Sequence, residues 1–263
     1  MLLVFAAGIS AAITLFLHWR KYPPDWQSSA RQLSQRRWEW WDAVCIIGAI
    51  AFISFGILGI LRLFHIPELR FNLRSLILQT ISTHGVILAY VIAALALRRN
   101  RWRDAFGGGS ERFIADIRRG IFAMLAATVI VGPVLLFNRW LMETLGVRDV
   151  TQKILEDFAG TGSFSARLYF AMLAVLIAPA AEEMLFRGIM FPVLLRRLPV
   201  FASTAIVSAL FAGIHFHLPL FLPLFAFSIC LCTAYLATGS IIVPITMHAL
   251  FNATTTAIIL VTR

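Results

Sequence analysis

Residues 166–195 read ARLYFAMLAVLIAPAAEEMLFRGIMFPVLL. This stretch is long enough to cross the hydrocarbon core of a bilayer, which takes about 20 mostly apolar residues. Its middle nevertheless holds two adjacent carboxylates and an arginine, Glu182, Glu183 and Arg187. An ionisable side chain at the centre of a membrane span costs about 3 kcal/mol and usually marks a functional site. The stretch therefore predicts a membrane-embedded fold with a polar site inside it.

The composition of the whole chain agrees with a membrane fold. The 263 residues are 60% hydrophobic and only 14% charged, whereas soluble domains are about half apolar and about a quarter charged. A soluble chain could not hide this much apolar surface, and a disordered chain needs the opposite composition. Three cysteines are too few for a disulfide scaffold. Composition thus leaves a polytopic membrane protein.

Eight apolar runs are candidates for transmembrane helices. They cover residues 2–18, 43–64, 75–97, 120–138, 166–195, 199–216, 219–237 and 241–261. The first run lacks the basic start and the small-residue cleavage site of a signal peptide, so we expect it to remain as a helix. We therefore predict an all-α polytopic membrane protein with about eight transmembrane helices.

The net charge of +10 comes from arginines and lysines in short loops between the apolar runs. This placement is typical of orientation signals in membrane proteins rather than of nucleic-acid binding. With eight spans, the loops after the first, third and fifth runs share one side of the membrane, and together they hold most of the basic residues of the chain. The positive-inside rule predicts that these loops are cytoplasmic and that both termini lie outside.

Residues 1–140 carry their polar groups mostly in loops, so we expect the chemistry to lie in the C-terminal half. There, Glu183 and Arg187 are four residues apart, so they share a helix face and can pair. Glu182 points about 100° away from them. Without a partner on its own helix, it can accept or donate a proton. The alternative for this motif is an interhelical salt-bridge cluster that has no chemistry.

Two further motifs supply histidines and an amide. His215 lies four residues after Phe211, near the end of the sixth run. His248 and Asn252 are also four residues apart, so they share one face of the last run. Two hydrogen-bond donors on one face suit an oxyanion hole. Taken singly, each motif is explained as well by hydrogen bonding between helices.

Together the motifs indicate a specific chemistry. Glu182 and His215 would hold a water molecule, while His248 and Asn252 would face the other side of a substrate carbonyl. This arrangement suits the hydrolysis of an amide bond by water inside the bilayer. Inward-facing polar side chains would line the narrow cavity that such a water needs.

The three motifs resemble those of the CPBP intramembrane protease family, which includes CAAX prenyl endopeptidases and bacteriocin-processing or self-immunity proteins (Abi). The matching patterns are Glu-Glu-x-x-x-Arg at 182–187, Phe-x-x-x-His at 211–215 and His-x-x-x-Asn at 248–252. The resemblance covers about residues 166–258. It does not extend into residues 1–140.

The resemblance implies a role for each motif residue. Glu182 corresponds to the general base on water, and His215 to the histidine that helps to activate that water. The remaining members are the oxyanion pair, His248 and Asn252, and two supporting residues, Glu183 and Arg187. The resemblance further implies catalysis without a metal or other cofactor. A zinc site built from the same glutamate, histidine and asparagine side chains is the alternative, although an amide oxygen is an unusual zinc ligand.

The apolar runs, the loop charges and the extent of the resemblance together predict a division of the chain. Residues 1–140 would form N-terminal transmembrane helices with basic cytoplasmic loops. Residues 141–165 would form an extracytoplasmic loop, and residues 166–263 a protease core of four helices.

The predicted function is an intramembrane endopeptidase of a bacterial cytoplasmic membrane that cuts a peptide bond near the membrane surface. Its partners would be the lipid bilayer and a peptide or membrane-anchored protein substrate, with or without a lipid group, and no nucleic acid. A non-catalytic scaffold or bacteriocin self-immunity protein is the first alternative. A transporter is the second, but the chain lacks the internal repeats and paired broken helices of transporters.

Overall fold

A computed structural model describes residues 2–63, 73–147 and 164–261 of the chain. These residues are mostly helical and contain no β-strand, which confirms the predicted all-α class. Five helices within them are long and apolar enough to cross a membrane, and shorter apolar helices accompany them. The protein is therefore an integral, multi-pass membrane protein.

Each of the eight predicted apolar runs corresponds to a helix, and two short helices lie in the basic loops. The helices in chain order are α1 (Leu2–Lys21), α2 (Trp26–Ser34), α3 (Trp40–Leu63), α4 (Leu73–Leu97), α5 (Trp102–Phe106), α6 (Phe113–Thr144), α7 (Phe164–Leu195), α8 (Val200–Gly213), α9 (Leu218–Thr238) and α10 (Ile242–Val261). Both α4 and α7 are continuous helices that contain π-helical turns.

Two helix boundaries differ from the sequence-based expectation. The predicted sixth run extends to residue 216, but α8 ends at Gly213, where glycine disfavours continuation. Phe216 has a left-handed backbone with φ 48°, so His215 lies in the turn after the helix. At the other boundary, α6 runs beyond residue 138 into the predicted extracytoplasmic loop 141–165. Most of that loop, residues 148–163, lies outside the described residues.

Helix α6 connects the two halves of the chain, because it packs against α1, α9 and α10. Its contact with α10 is close at Gly120. A Cβ atom there would lie 2.6 Å from Thr246 Cβ and 2.9 Å from the Val243 carbonyl oxygen. At Gly132 of the same helix, a Cβ atom would meet nothing within 4 Å. The close packing of α10, which carries His248, against α6 therefore requires a glycine at residue 120.

The basic loops meet at one end of the bundle. Arg196, in the turn after α7, donates to the backbone oxygens of Ser34 at 2.9 Å and Arg36 at 2.5 Å. Arg36 is buried and donates to the Tyr235 hydroxyl and to the Gly239 carbonyl oxygen at 2.5 Å. It also lies 3.5 Å from a carbonyl oxygen of α5. The loops after the first, third and fifth predicted runs thus share one side, as their charge pattern predicts.

Candidate active site

Three π-helical turns lie beside the predicted site residues. They span Ile81–Gly85 in α4, and Leu173–Ile177 and Met184–Met190 in α7. A π-turn inserts one extra residue into a helix and is frequent at functional sites. Pro179, which has no N–H to donate, follows the second turn and lies in the segment Ala178–Glu183 that carries both glutamates. The first turn contributes the His84 ring to the site, the second contributes the Ala174 carbonyl oxygen, and the third contributes the Arg187 guanidinium.

Glu183 and Arg187 form a fully buried ion pair, as their spacing predicts. Arg187 Nη1 donates to Glu183 Oε1 at 2.9 Å, and both side chains are 0% exposed. His248 Nδ1 lies 2.9 Å from the same carboxylate oxygen. Because a carboxylate only accepts hydrogen bonds, His248 donates through Nδ1. Its other ring nitrogen, Nε2, lies 3.9 Å from Glu182 Oε2.

Further contacts of Arg187 gather four helices around the histidines. Arg187 Nη2 donates to the hydroxyl of Ser228 in α9 at 2.6 Å and to its carbonyl oxygen at 3.3 Å. The guanidinium carbon lies 4.6 Å from the centroid of the buried Phe211 ring. The same ring lies 5.1 Å from the His215 ring and 5.5 Å from the His248 ring. Arg187 and Phe211 therefore join α7, α8, α9 and α10 at the site.

Hydrogen bonds determine which atoms of His215 and Asn252 remain available. His215 Nδ1 lies 2.8 Å from the Phe211 carbonyl oxygen. Since that oxygen is an acceptor, Nδ1 carries the hydrogen, and Nε2 of the neutral ring is an acceptor. Asn252 Nδ2 donates one of its two hydrogens to the Ala174 carbonyl oxygen at 2.7 Å. His215 can thus accept a proton or hydrogen bond from water, and Asn252 has a second N–H with which to donate.

Two histidines lie beside Glu182, whose side chain is 16% exposed. Its Oε1 atom lies 3.4 Å from His84 Nε2, and its Oε2 atom lies 3.9 Å from His248 Nε2. His215 joins this group through the Phe211 ring, which contacts both His215 and His248. The structure therefore brings Glu182, Glu183, Arg187, His215 and His248 together. Asn252 lies one turn beyond His248 on α10 and is held to α7.

His84 is the residue at this site that the sequence reasoning missed. The sequence analysis sought the site in the C-terminal half, but α4 of the N-terminal half places the His84 ring against Glu182. A signal was present, since the polar residues Ser82-Thr83-His84 interrupt the apolar run 75–97. An ionisable residue inside a span marks function by default. The sequence does not reveal, however, which helix such a residue faces.

The side chains that converge on Glu182 are arranged for proton transfer and hydrogen bonding. In the described parts of the chain, no group of three or more His, Cys, Asp or Glu side chains has an arrangement that could hold a metal ion. What the site offers instead is a carboxylate, two ring nitrogens and an amide N–H. These groups suit the activation of water and the stabilisation of an oxyanion.

The segment that carries most of the site residues is similar to a known protein family. Residues 163–254 match the family model described as type II CAAX prenyl endopeptidase, Rce1-like. The match includes all six residues proposed from the motifs: Glu182, Glu183, Arg187, His215, His248 and Asn252. His84 lies outside it. No curated protein and no solved structure matches the chain.

Proposed function

Because residues 163–254 match the family model of Rce1-like type II CAAX prenyl endopeptidases, we propose that this chain is an intramembrane endopeptidase with Glu182 as its base. The family supports CAAX-type protease activity in general. The observation that carries the finer proposal is that the His84 and His248 rings both lie beside the Glu182 carboxylate, inside a membrane-spanning helix. The reaction is the hydrolysis of a peptide bond near the membrane surface.

In the proposed reaction, Glu182 and His215 hold the attacking water. Oε2 of Glu182 takes one proton from the water while the water oxygen bonds to the carbonyl carbon of the substrate. His215 Nε2 accepts a hydrogen bond from the second hydrogen of the water and orients it. When the carbon–nitrogen bond breaks, the proton held by Glu182 passes to the leaving nitrogen. The products are a carboxylic acid and an amine, and Glu182 is ionised again.

His248 and Asn252 stabilise the negative charge that develops on the carbonyl oxygen. Asn252 offers the N–H that its bond to Ala174 does not use. His248 gives its Nδ1 hydrogen to Glu183, so its Nε2 can donate only when the ring is protonated. The carboxylates of Glu182 and Glu183 on either side of the ring stabilise that positive charge.

Glu183 and Arg187 act as supporting residues in this proposal. Arg187 neutralises the buried Glu183 carboxylate, which then accepts the His248 Nδ1 hydrogen. A ring held at Nδ1 by a fixed acceptor keeps its orientation and its tautomer. The pair thus sets the direction in which His248 Nε2 points.

The setting that we propose is a bacterial cytoplasmic membrane, with the basic loops on the cytoplasmic side. The substrate is a peptide or a membrane-anchored protein, with or without a lipid group. In this proposal residues 1–140 form an N-terminal membrane region and residues 166–263 the protease core, while most of the segment 141–165, predicted as an extracytoplasmic loop, lies outside the described residues. Catalysis needs no metal or other cofactor.

The test is proteolysis of a fluorogenic, lipidated C-terminal peptide by protein reconstituted in liposomes. We expect Glu182→Gln to lower kcat by about 10²- to 10⁴-fold, the usual contribution of a general base. The matched control is Glu143→Gln, because Glu143 is exposed and pairs with the exposed Arg139 at the surface. That variant is expected to keep the wild-type rate.

A chelator tests the zinc alternative in the same assay. The proposal predicts an unchanged rate after treatment with chelator. Loss of activity with chelator and recovery with zinc would replace the proposed mechanism by a metal-dependent one. Near-normal turnover by Glu182→Gln would refute the assignment of Glu182. Failure of folded wild-type protein to cut lipidated or unmodified peptides would favour a scaffold or self-immunity role.

A further inference from the structure

We propose that His84 is a positioning residue that holds one oxygen of Glu182 so that the other faces the water and substrate. This inference rests on the proposed function and adds to it a residue from the N-terminal half. His84 Nε2 lies 3.4 Å from Glu182 Oε1, and the two side chains are similarly shielded, at 17% and 16% exposed. His84 lies outside residues 163–254, the region that matches the family.

Hydrogen bonds on the far side of the ring determine which nitrogen of His84 carries hydrogen. Thr83 Oγ1 donates its single hydrogen to the Gln79 carbonyl oxygen at 2.7 Å. The same hydroxyl oxygen lies 3.0 Å from His84 Nδ1. It therefore accepts at that contact, and Nδ1 is the donor. In a neutral ring, Nε2 would then direct a lone pair at a carboxylate, which is also an acceptor.

The contact between His84 and Glu182 is consequently favourable only with a proton between Nε2 and Oε1. With that proton it is a charge-assisted hydrogen bond, which is stronger and more directional than a neutral one. This hydrogen bond uses Oε1 of Glu182. The other oxygen, Oε2, lies on the side of His248, 3.9 Å from His248 Nε2. That is the oxygen to which the proposed mechanism assigns the proton of the water.

His84 does not exchange a bond with the substrate in this scheme. It stays hydrogen-bonded to Oε1 while Oε2 takes the proton of the water and later gives it to the leaving nitrogen. The ring is set by packing, because the π-turn Ile81–Gly85 lies directly against the segment Ala178–Glu183. The role is therefore one of orientation, for which small displacements of a reacting group are costly.

The first test compares kcat and KM of three variants with wild type. We expect His84→Ala to lower kcat by up to about 100-fold, the scale of a misplaced reacting group, with KM little changed. His84→Gln keeps an N–H donor near the position of Nε2 and should recover most of that loss. The control is His18→Ala, which removes an exposed histidine from the end of α1 and should match wild type.

These outcomes separate the inference from the proposed function. If wild type is active, Glu182→Gln is inactive and folded His84→Ala keeps full kcat, the inference about His84 is wrong and the proposed function stands. If the kcat of His84→Gln is as low as that of His84→Ala, an N–H donor at this position does not support catalysis, and the inference is also wrong. Activity in Glu182→Gln would overturn both.

A second test needs no substrate. In ¹⁵N-histidine spectra of the full chain in nanodiscs, we expect His84 to show a proton at both ring nitrogens in wild type. In Glu182→Gln, the amide N–H of glutamine faces the ring, so Nε2 should change to the signal of a nitrogen with a lone pair. A His84 spectrum that shows one unprotonated nitrogen in wild type, or that does not respond to Glu182→Gln, would overturn the proposal.

Discussion

Replacing Arg187 by methionine tests how much the buried ion pair contributes to the fold around the site. Methionine fills part of the space but carries no charge and donates no hydrogen bond. Glu183 would keep its contact with His248 but lose the Nη1 donor at 2.9 Å. The Ser228 hydroxyl would lose its 2.6 Å donor as well.

The expected cost follows from the burial of both partners. Arg187 and Glu183 are each 0% exposed, so no bulk water can solvate the carboxylate that remains. Breaking a buried pair by removing one partner costs about 3–5 kcal/mol. Because each 1.4 kcal/mol is about tenfold in an equilibrium constant, the ratio of folded to unfolded protein should fall by about 100- to several thousand-fold. Removing both charges at once should be cheaper, since no buried charge is left uncompensated.

Reversible unfolding in mixed detergent micelles measures these free energies for wild type, Glu183→Gln, Arg187→Met and the double variant. We expect Arg187→Met to lose about 3–5 kcal/mol and the double variant to regain about half of that loss or more. In the double variant, the glutamine that replaces Glu183 could still accept the His248 Nδ1 hydrogen through its amide oxygen. A loss below about 1 kcal/mol for Arg187→Met, or a double variant no more stable than it, would refute the reasoning from uncompensated charge.

Three further predictions concern helix contacts and the oxyanion. Gly120→Ala should destabilise the protein by about 1–3 kcal/mol through overpacking against α10, whereas Gly132→Ala should be neutral or stabilising; equal unfolding free energies would contradict this. Asn252→Leu should lower kcat by about 10²- to 10³-fold, as loss of one oxyanion donor does, and an unchanged kcat in the peptide assay would remove that role. Arg36→Ala should lower the Tm clearly, whereas Arg37→Ala, which removes an exposed side chain, should not. Equal losses of Tm in the two variants would show that the burial of Arg36 is not the cause.

Sequence reasoning predicted the fold well because lipid imposes a simple rule on membrane helices. Apolar runs of about 20 residues must be helical, since no water satisfies their backbone groups. Each predicted run corresponds to an observed helix. The ends of the helices were predicted less well. Helix α6 continues through polar residues beyond its apolar part, and α8 ends at a glycine although apolar residues follow it.

The site could be predicted only where its residues share one helix. Spacing along α7 predicted the contact between Glu183 and Arg187, which the structure confirms at 2.9 Å. Contacts between helices depend on helix rotation and depth, and a π-turn changes both by an extra residue. The approach of His84 to Glu182 arises in this way, from a turn that apolar periodicity does not reveal.

The most direct test of the central claim is product analysis after cleavage of a lipidated peptide in H₂¹⁸O by the protein in liposomes. The proposal predicts cleavage of one peptide bond, with a single ¹⁸O atom in the new carboxyl group, and loss of that product in Glu182→Gln. Equal amounts of the labelled product from wild type and from Glu182→Gln would contradict the claim that Glu182 activates the water.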